Sequence, residues 1–304
     1  MATLGNMSDF RAYLLGHPVS QSRSPQMQNA AFAWAGFSGQ YEALEVLPEH
    51  LETTLEHLES DASVIGCNLT VPHKLSAYRW LVANGRVLHP AATTFEAVNT
   101  LVRGPDGLWQ GDSTDYEGFL HNLRRCLSEE FEEQTFEEWI AEQDIAILGS
   151  GGSAQTLARG FASETRFKPH GIDLFARAPQ KASGMLPREQ IHSLAKFPQW
   201  NRGRQSLVIQ TTTVGMESGE GAGLSPIPHD AICPDQIACD IVYKPLETPF
   251  LAHARVRGAL CVPGLGMLVG QGAESCRKWL AGAGITKDIF PLMDTMERAL
   301  GATR

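Results

Sequence analysis

The sequence predicts an α/β fold in two lobes. Three observations carry this. Short apolar runs alternate with amphipathic stretches through about the first hundred residues. A glycine-rich turn close to residue 150 then restarts the alternation. The length, 304 residues, suits two domains at roughly 150 residues each.

In the first lobe, strands are expected at residues 12–15, 40–46, 63–69 and 97–102, where apolar residues gather in short runs. Helices are expected at 25–35, 48–58 and 72–83. Each opens on a proline (Pro25, Pro48, Pro72), whose missing N–H costs nothing in a first helical turn. This alternation of strand and helix argues for a mainly parallel sheet. Residues 128–143 are strongly acidic and read as a solvated helix or a linker. The second lobe, from about residue 115, carries expected strands at 144–148, 172–175, 207–210, 237–241 and 259–262, with a helix at 155–161. Residues 267–281 and 291–300 have helical periodicity.

Composition narrows the function. Hydrophobic residues make up 43% and charged residues 19%, a globular balance, and the net charge is −9. An acidic chain is not drawn to phosphate backbones or anionic lipid, so neither nucleic acid nor membrane is expected as a partner. No apolar run approaches the ~20 residues that span a bilayer, and residues 1–15 do not read as a signal peptide. The six cysteines include no C-x-x-C pair, which fits reduced thiols and a cytoplasmic protein. The ten histidines form no H-E-x-x-H or Cys/His cluster, so no metal is expected.

Gly149-Ser-Gly151-Gly152-Ser153-Ala154 matches G-x-G-x-x-[GA] between an expected strand and an expected helix. The first glycine permits the tight turn and the second lets backbone approach a pyrophosphate. The small last residue lets the helix pack on the strand, and the helix N-terminus faces the anion. An ordinary strand–helix turn is the plain alternative. An NAD site usually places an acid at the tip of the next strand. Here the tip reads Phe175-Ala-Arg177-Ala-Pro-Gln-Lys181, and Arg177 with Lys181 could clamp a 2′-phosphate. Asp173 lies inside the strand. NADP is therefore favoured over NAD, with two ordinary surface cations as the alternative.

Four segments of the first lobe stand out. In Ser22-Arg-Ser24-Pro25 an extended backbone aims both hydroxyls the same way beside a helix N-terminus, a small anion site suited to a carboxylate. Simple capping by Ser24, with Ser22 in a loop, is the plainer reading. In Asn68-Leu-Thr70-Val-Pro72-His-Lys74, Lys74 falls in a first helical turn, where the dipole disfavours its ammonium form and a nearby carboxylate would favour it. A solvated lysine is the alternative. Ala97-Val-Asn99-Thr100 places an amide able to pair with a hydroxyl. Thr114-Asp115 opens a helix, where Asp115 could cap or face a cleft.

Together these segments resemble the shikimate dehydrogenase family from about residue 12 to about 285. Downstream, Thr213-Val-Gly215-Met216 resembles the family's nicotinamide-side loop. Asp240-Ile-Val-Tyr243-Lys-Pro245-x-x-Thr248-Pro249 resembles its signature after the fifth strand. Gly264-x-Gly266-Met267-Leu268-x-x-Gln271 resembles the segment that returns to the substrate.

The resemblance implies reversible, NADP-dependent reduction of 3-dehydroshikimate to shikimate. It implies a substrate-binding and catalytic domain over 1–114, completed by C-terminal helices from about 266 to 304, and a Rossmann domain over 115–265. Ser22 and Ser24 would hold the carboxylate, assisted by Tyr243. Thr70, Asn99, Asp115 and Gln271 would hold the ring hydroxyls, and Lys74 with Asp115 would manage the proton at the reacting oxygen. Gly149, Gly151, Gly152, Ser153, Ala154, Arg177, Lys181, Thr213, Gly215, Met216 and Gly264 would meet the cofactor. The protein would act as a monomer or homodimer.

The sequence departs from the family pattern at Gln28-Asn29 (His-Asn), Ser113-Thr114-Asp115 (Asn-Thr-Asp) and Ala176-Arg177-Ala178 (Asn-Arg-Thr). A quinate/shikimate-type paralogue using NAD or NADP is one alternative. A non-catalytic ligand sensor on the same fold is another.

Overall fold

A computed structural model of the chain describes residues 10–131, 134–200 and 206–301. The N-terminal residues 1–9 and residues 132–133 of the acidic stretch lie outside that range. The chain divides into two units at 118/119 and 268/269, the first holding both ends of the chain and the second its middle.

The first unit runs β1 (Phe10–Gly16), α1 (Ser24–Ala35), β2 (Gly39–Glu45), α2 (Leu51–Ser60), β3 (Val64–Leu69), α3 (Lys74–Ala83), β4 (Val87–Leu88), α4 (Pro90–Phe95), β5 (Thr100–Arg103) and β6 (Trp109–Asp112). Its sheet is ordered β2-β1-β3-β5-β6-β4. β1 is parallel to both of its neighbours, while β5 is antiparallel to β3 and β6. The core on one face joins Leu15, Leu55, Leu69, Leu81, Leu101 and Trp109, all essentially inaccessible to solvent.

Several expectations shift here. The helix expected from Pro72 begins at Lys74, because the His73 amide turns back to the Thr70 carbonyl at 2.8 Å and makes a separate turn. The helix expected from Pro48 is a 3-10 turn, Pro48–His50, followed by α2. The strand expected from residue 97 starts at Thr100. The amides of Ala97 and Val98 are taken by the Ala92 and Lys74 carbonyls instead. β6 was not anticipated. It pairs with β5 through a turn at Gly104-Pro-Asp-Gly107, where Gly107 has φ +83° and Asp106 Oδ1 accepts from the Leu108 amide at 3.0 Å.

α5 (Asp115–Cys126) leads into the second unit: α6 (Phe136–Ala141), β7 (Asp144–Leu148), α7 (Gly152–Ser163), β8 (Gly171–Ala176), β9 (Ile191–Ser193), β10 (Ser206–Gln210), β11 (Gln236–Asp240), α8 (Pro249–Val256) and β12 (Leu260–Val262). Its six strands lie in the order β12-β11-β10-β7-β8-β9, every neighbouring pair parallel. This is the doubly wound order in which ligands sit beyond the carboxyl ends of the strands at the switch point, here after β7 and β10. β7, β10 and β11 are buried along their whole length, as a strand covered on both faces must be.

The acidic stretch is no linker. Around a 3-10 turn at Ser128–Phe131 and α6, it buries Phe136, Trp139 and Ile140. A reciprocal cap joins Thr135 and Glu138, and Arg124 pairs with Glu137 while covering the Phe136 ring at 4.7 Å. Glu129, Glu130, Glu138 and Glu142 face solvent while Phe136, Trp139 and Ile140 face the core.

The chain returns to the first unit with α9 (Leu265–Gly282) from residue 269 onward, and then α10 (Ile289–Ala299), which packs on α1. Trp279 of α9 donates from Nε1 to the Leu101 carbonyl at 2.9 Å, anchoring the helix on the sheet. Among the described residues no helix is long and apolar enough to cross a membrane. All six cysteines are free thiols.

Candidate functional site

In the first unit, Lys74 and Asp115 open α3 and α5, and their side chains meet with Nζ 2.6 Å from Oδ2. A carboxylate is favoured at a helix N-terminus and an ammonium is not, so the two dipoles oppose Lys74 and support Asp115. Both groups are partly open to solvent, at 33% and 16% exposure, and can therefore meet a ligand.

Asn99 orients the acid. Its Nδ2 donates to Asp115 Oδ1 at 2.8 Å and to Thr114 Oγ1 at 3.1 Å. Its Oδ1 accepts from the Thr114 amide and the Thr100 hydroxyl, each at 2.8 Å. All four hydrogen-bonding positions of this 2%-exposed amide are thus met by protein, which fixes which end faces Asp115.

Behind Asn99 lies a buried polar chain that the sequence reading missed. Tyr41 donates to Asn68 Oδ1 at 2.9 Å, and Asn68 Nδ2 donates to Ser275 Oγ at 2.9 Å and to the Asn99 carbonyl at 3.1 Å. Ser275 reaches Thr100 Oγ1 at 2.8 Å. Burial, with the Cys67 and Cys276 thiols alongside, raises the Tyr41 phenol well above its usual range and keeps it a donor. Asn68 belongs to the Asn-Leu-Thr-Val-Pro segment, and Ser275 stands one helical turn after Gln271; those were the available signals. Tyr41 had none, because its partner is 27 residues away.

Ser24 does not cap α1, against the plainer sequence reading. The cap position is Arg23, without a side-chain bond, and the Ser24 amide is taken by Ser22 Oγ at 3.2 Å. The two serines are thus adjacent at the opening of the helix. Thr70 opens the turn after β3, four residues before Lys74. Gln271 lies on α9, where its carbonyl accepts from Thr114 Oγ1 at 3.0 Å. α5 and α9 cross there backbone to backbone: a Cβ on Gly118 would stand 2.3 Å from the Gln271 amide, and one on Gly270 2.5 Å from the Gly118 carbonyl. Only glycine permits that approach.

In the second unit, β7 is followed by Gly149, with φ +132° and no room for a Cβ, which would lie 2.4 Å from Thr211 Oγ1. Gly151 and Gly152, at the start of α7, face open space, Ser153 is half-buried, and Ala154 is buried. Next to them is a cavity of about 310 Å³ lined by Gly149, Gly151, Arg177, Lys181 and Thr213 among others. Among the described residues its lining holds two cations and no carboxylate. Asp173, the nearby acid, is buried and committed elsewhere, accepting from Trp200 Nε1 at 2.9 Å and bonded to His192 Nε2 at 2.7 Å. Open glycines at a helix N-terminus beside two cations fit a phosphorylated dinucleotide.

Gly215 (φ +90°) and half-buried Met216 stand on the loop after β10, outside that cavity lining. Gly264 follows β12, and Tyr243, 36% exposed, follows β11.

Residues 14–101 match the family model described as the shikimate dehydrogenase substrate binding domain. A shikimate dehydrogenase (NADP(+)) of Methylobacterium radiotolerans is 35% identical over 273 residues, covering 88% of this chain and 90% of that one. One from Moorella thermoacetica is 35% identical over 299 residues, covering 95% and 93%. The crystal structure of shikimate 5-dehydrogenase from Thermus thermophilus in complex with NADP(H) and shikimate is similar with a TM-score of 0.76 at 28% identity, covering 95% of this chain and 99% of that one.

Proposed function

The chain belongs to the shikimate dehydrogenase family, and on that premise we propose that it catalyses the reversible, NADP-dependent reduction of 3-dehydroshikimate to shikimate. The observation that carries the reading is the Lys74–Asp115 contact at 2.6 Å, a proton-handling pair at the head of two helices.

Reduction adds a hydride to the ketone carbon and a proton to its oxygen. NADP, when bound, supplies or accepts the hydride. The proton falls to Lys74: its ammonium gives a proton to the forming alkoxide, and in the reverse direction its amine removes the hydroxyl proton. Asp115 holds the lysine toward the reacting oxygen and balances its charge, while Asn99 keeps the carboxylate turned the right way. Ser22 and Ser24 bind the substrate carboxylate at the head of α1, with Tyr243 assisting. Thr70, Asp115 and Gln271 bind ring hydroxyls, and Asn99 joins them by exchanging its 3.1 Å bond to Thr114 Oγ1 for one to the substrate.

Gly149, Gly151, Gly152, Ser153 and Ala154 receive the pyrophosphate at the α7 N-terminus. Arg177 and Lys181 receive the 2′-phosphate, and Thr213, Gly215, Met216 and Gly264 meet the nicotinamide end. In this reading residues 1–114 with 266–304 form the substrate and catalytic domain and 115–265 the dinucleotide domain. The protein works in the cytoplasm as a monomer or homodimer and needs no nucleic acid.

The test is the absorbance change of reduced nicotinamide with purified protein, offering shikimate and quinate against NADP and NAD. Turnover of shikimate with NADP is expected. Turnover of quinate alone, or none in any combination, would overturn the substrate.

A further inference from the structure

Gln210 and Asp240 are register partners, the last residues of the neighbouring parallel strands β10 and β11. Both side chains are buried, at 0% and 2% exposure, at the end of the sheet where the ligand-facing loops begin. Neither is left over from core packing: each folds forward onto the loop that leaves its own strand.

Gln210 Oε1 accepts from the Thr212 amide at 2.6 Å, and its Nε2 donates to the Val214 carbonyl at 2.8 Å and the Thr212 carbonyl at 3.2 Å. That pins the segment leading to Gly215 and Met216. Asp240 Oδ1 accepts from the Val242 amide at 2.8 Å, and Oδ2 accepts from Thr248 Oγ1 at 2.6 Å. Thr248 is the N-cap of α8 and accepts from the Leu251 amide at 3.3 Å. One carboxylate thus holds both ends of the loop that carries Tyr243. The 241–249 loop also touches the segment of Gly264: a Cβ there would lie 2.5 Å from the Ile241 carbonyl carbon.

We propose that Gln210 and Asp240 are a pair of positioning residues that hold the 212–216 and 241–249 loops in the shape that binds the nicotinamide end and the substrate carboxylate. The proposal rests on the function argued above. It follows from donor and acceptor chemistry. Two donors converge on Asp240 from different sides, so two acceptor oxygens are needed. The 212–214 turn presents one amide and two carbonyls, which an amide side chain alone can answer. Each residue type is the one its loop demands, although neither needs to touch a ligand.

Near-isosteric exchanges test this. Asp240→Asn sets an N–H against a donor, and Gln210→Glu sets an oxygen against two carbonyls. Hydrogen exchange should show the Val242 amide opening about tenfold faster in the first variant and the Thr212 amide in the second. Asp240→Asn should raise KM for shikimate about tenfold and Gln210→Glu should weaken NADPH binding, read by its own fluorescence, about tenfold, with kcat changed less than threefold. Thr248→Ser should retain wild-type KM and Thr248→Val should behave like Asp240→Asn, which keeps the test valid if Asp240→Asn does not fold. Unchanged KM and NADPH affinity in variants whose amides open faster would overturn the proposal, as would unchanged exchange. If the wild-type protein neither binds NADPH nor turns over shikimate, the functional reading fails instead, and exchange still reports whether the two side chains hold their loops.

Discussion

Lys74 and Asp115 are separated by 41 residues, yet each is the first residue of a helix and their charged atoms stand 2.6 Å apart. The contact joins the proposed proton donor to the carboxylate proposed to hold it. The Asn99 amide, its four bonding positions filled, leaves the carboxylate one orientation.

Lys74→Ala removes the proposed proton donor and leaves the second unit untouched. kcat should fall by about 10²–10⁴, the range for one positioned acid–base group, with NADPH affinity within twofold of wild type. Steady-state rates and fluorescence titration check both. Turnover retained within tenfold would remove Lys74 from the chemistry.

Arg177 follows β8 directly and lines the cavity beside Lys181. Loss of a charge-assisted bond to a phosphate should make Arg177→Ala bind NADP about 10–100-fold more weakly and leave NAD nearly unchanged. Calorimetric titration with both dinucleotides decides; equal weakening would mean that Arg177 does not read the 2′-phosphate.

Ser275 bridges Asn68 and Thr100 inside the first unit. Ser275→Ala should lower the unfolding free energy by about 1–2 kcal/mol, the cost of one buried partner lost. Asn68→Leu, which strands the buried Tyr41 hydroxyl and removes the bonds to Ser275 and the Asn99 carbonyl, should cost roughly 3 kcal/mol. Urea unfolding curves measure both, and a neutral Asn68→Leu would show the chain to be dispensable for stability.

Burial pushes the Asp240 carboxyl up from 3.8 to about 6, against the lowering pull of Thr248 and the Val242 amide. The folded state therefore holds this proton more tightly than the unfolded chain does. Asp240 contributes stability that is fully present below pH 3.8 and is lost as pH rises through about 6. The size is on the order of 3 kcal/mol. Relative to Asp240→Asn, wild type should thus gain stability between pH 7 and pH 4.5. Unfolding free energies at several pH values test this, and a constant difference would contradict it.

Much of the fold was legible because local rules and tertiary packing agreed. The buried runs at 144–148 and 207–210 became β7 and β10, and the Gly149 turn had the strand before it and the helix after it that its spacing demands. Lys74, Asp115, Arg177 and Lys181 stood in motifs whose spacing places them at strand ends and helix starts. Where local rules misled, a bond to a different partner had replaced the expected one. Pro72 looked like a helix start, but the His73 amide returns to Thr70. Ser24 looked like a cap, but Ser22 takes its amide. The acids of 128–143 hid Phe136, Trp139 and Ile140 from a reading of charge alone.

By itself the sequence determined the alternation of strands and helices, the glycine turn between β7 and α7, and the residue types at the site, since these depend on neighbours within a few positions. Tertiary structure decided which partner each polar group meets. Asn99 orients Asp115 because Thr100 and Thr114 fill its oxygen, and Asn68 meets a serine 207 residues away. Gln210 and Asp240 come side by side through a parallel register, with 29 residues of chain between them. A buried donor or acceptor must find a partner, and chain spacing alone does not say which one the packing brings.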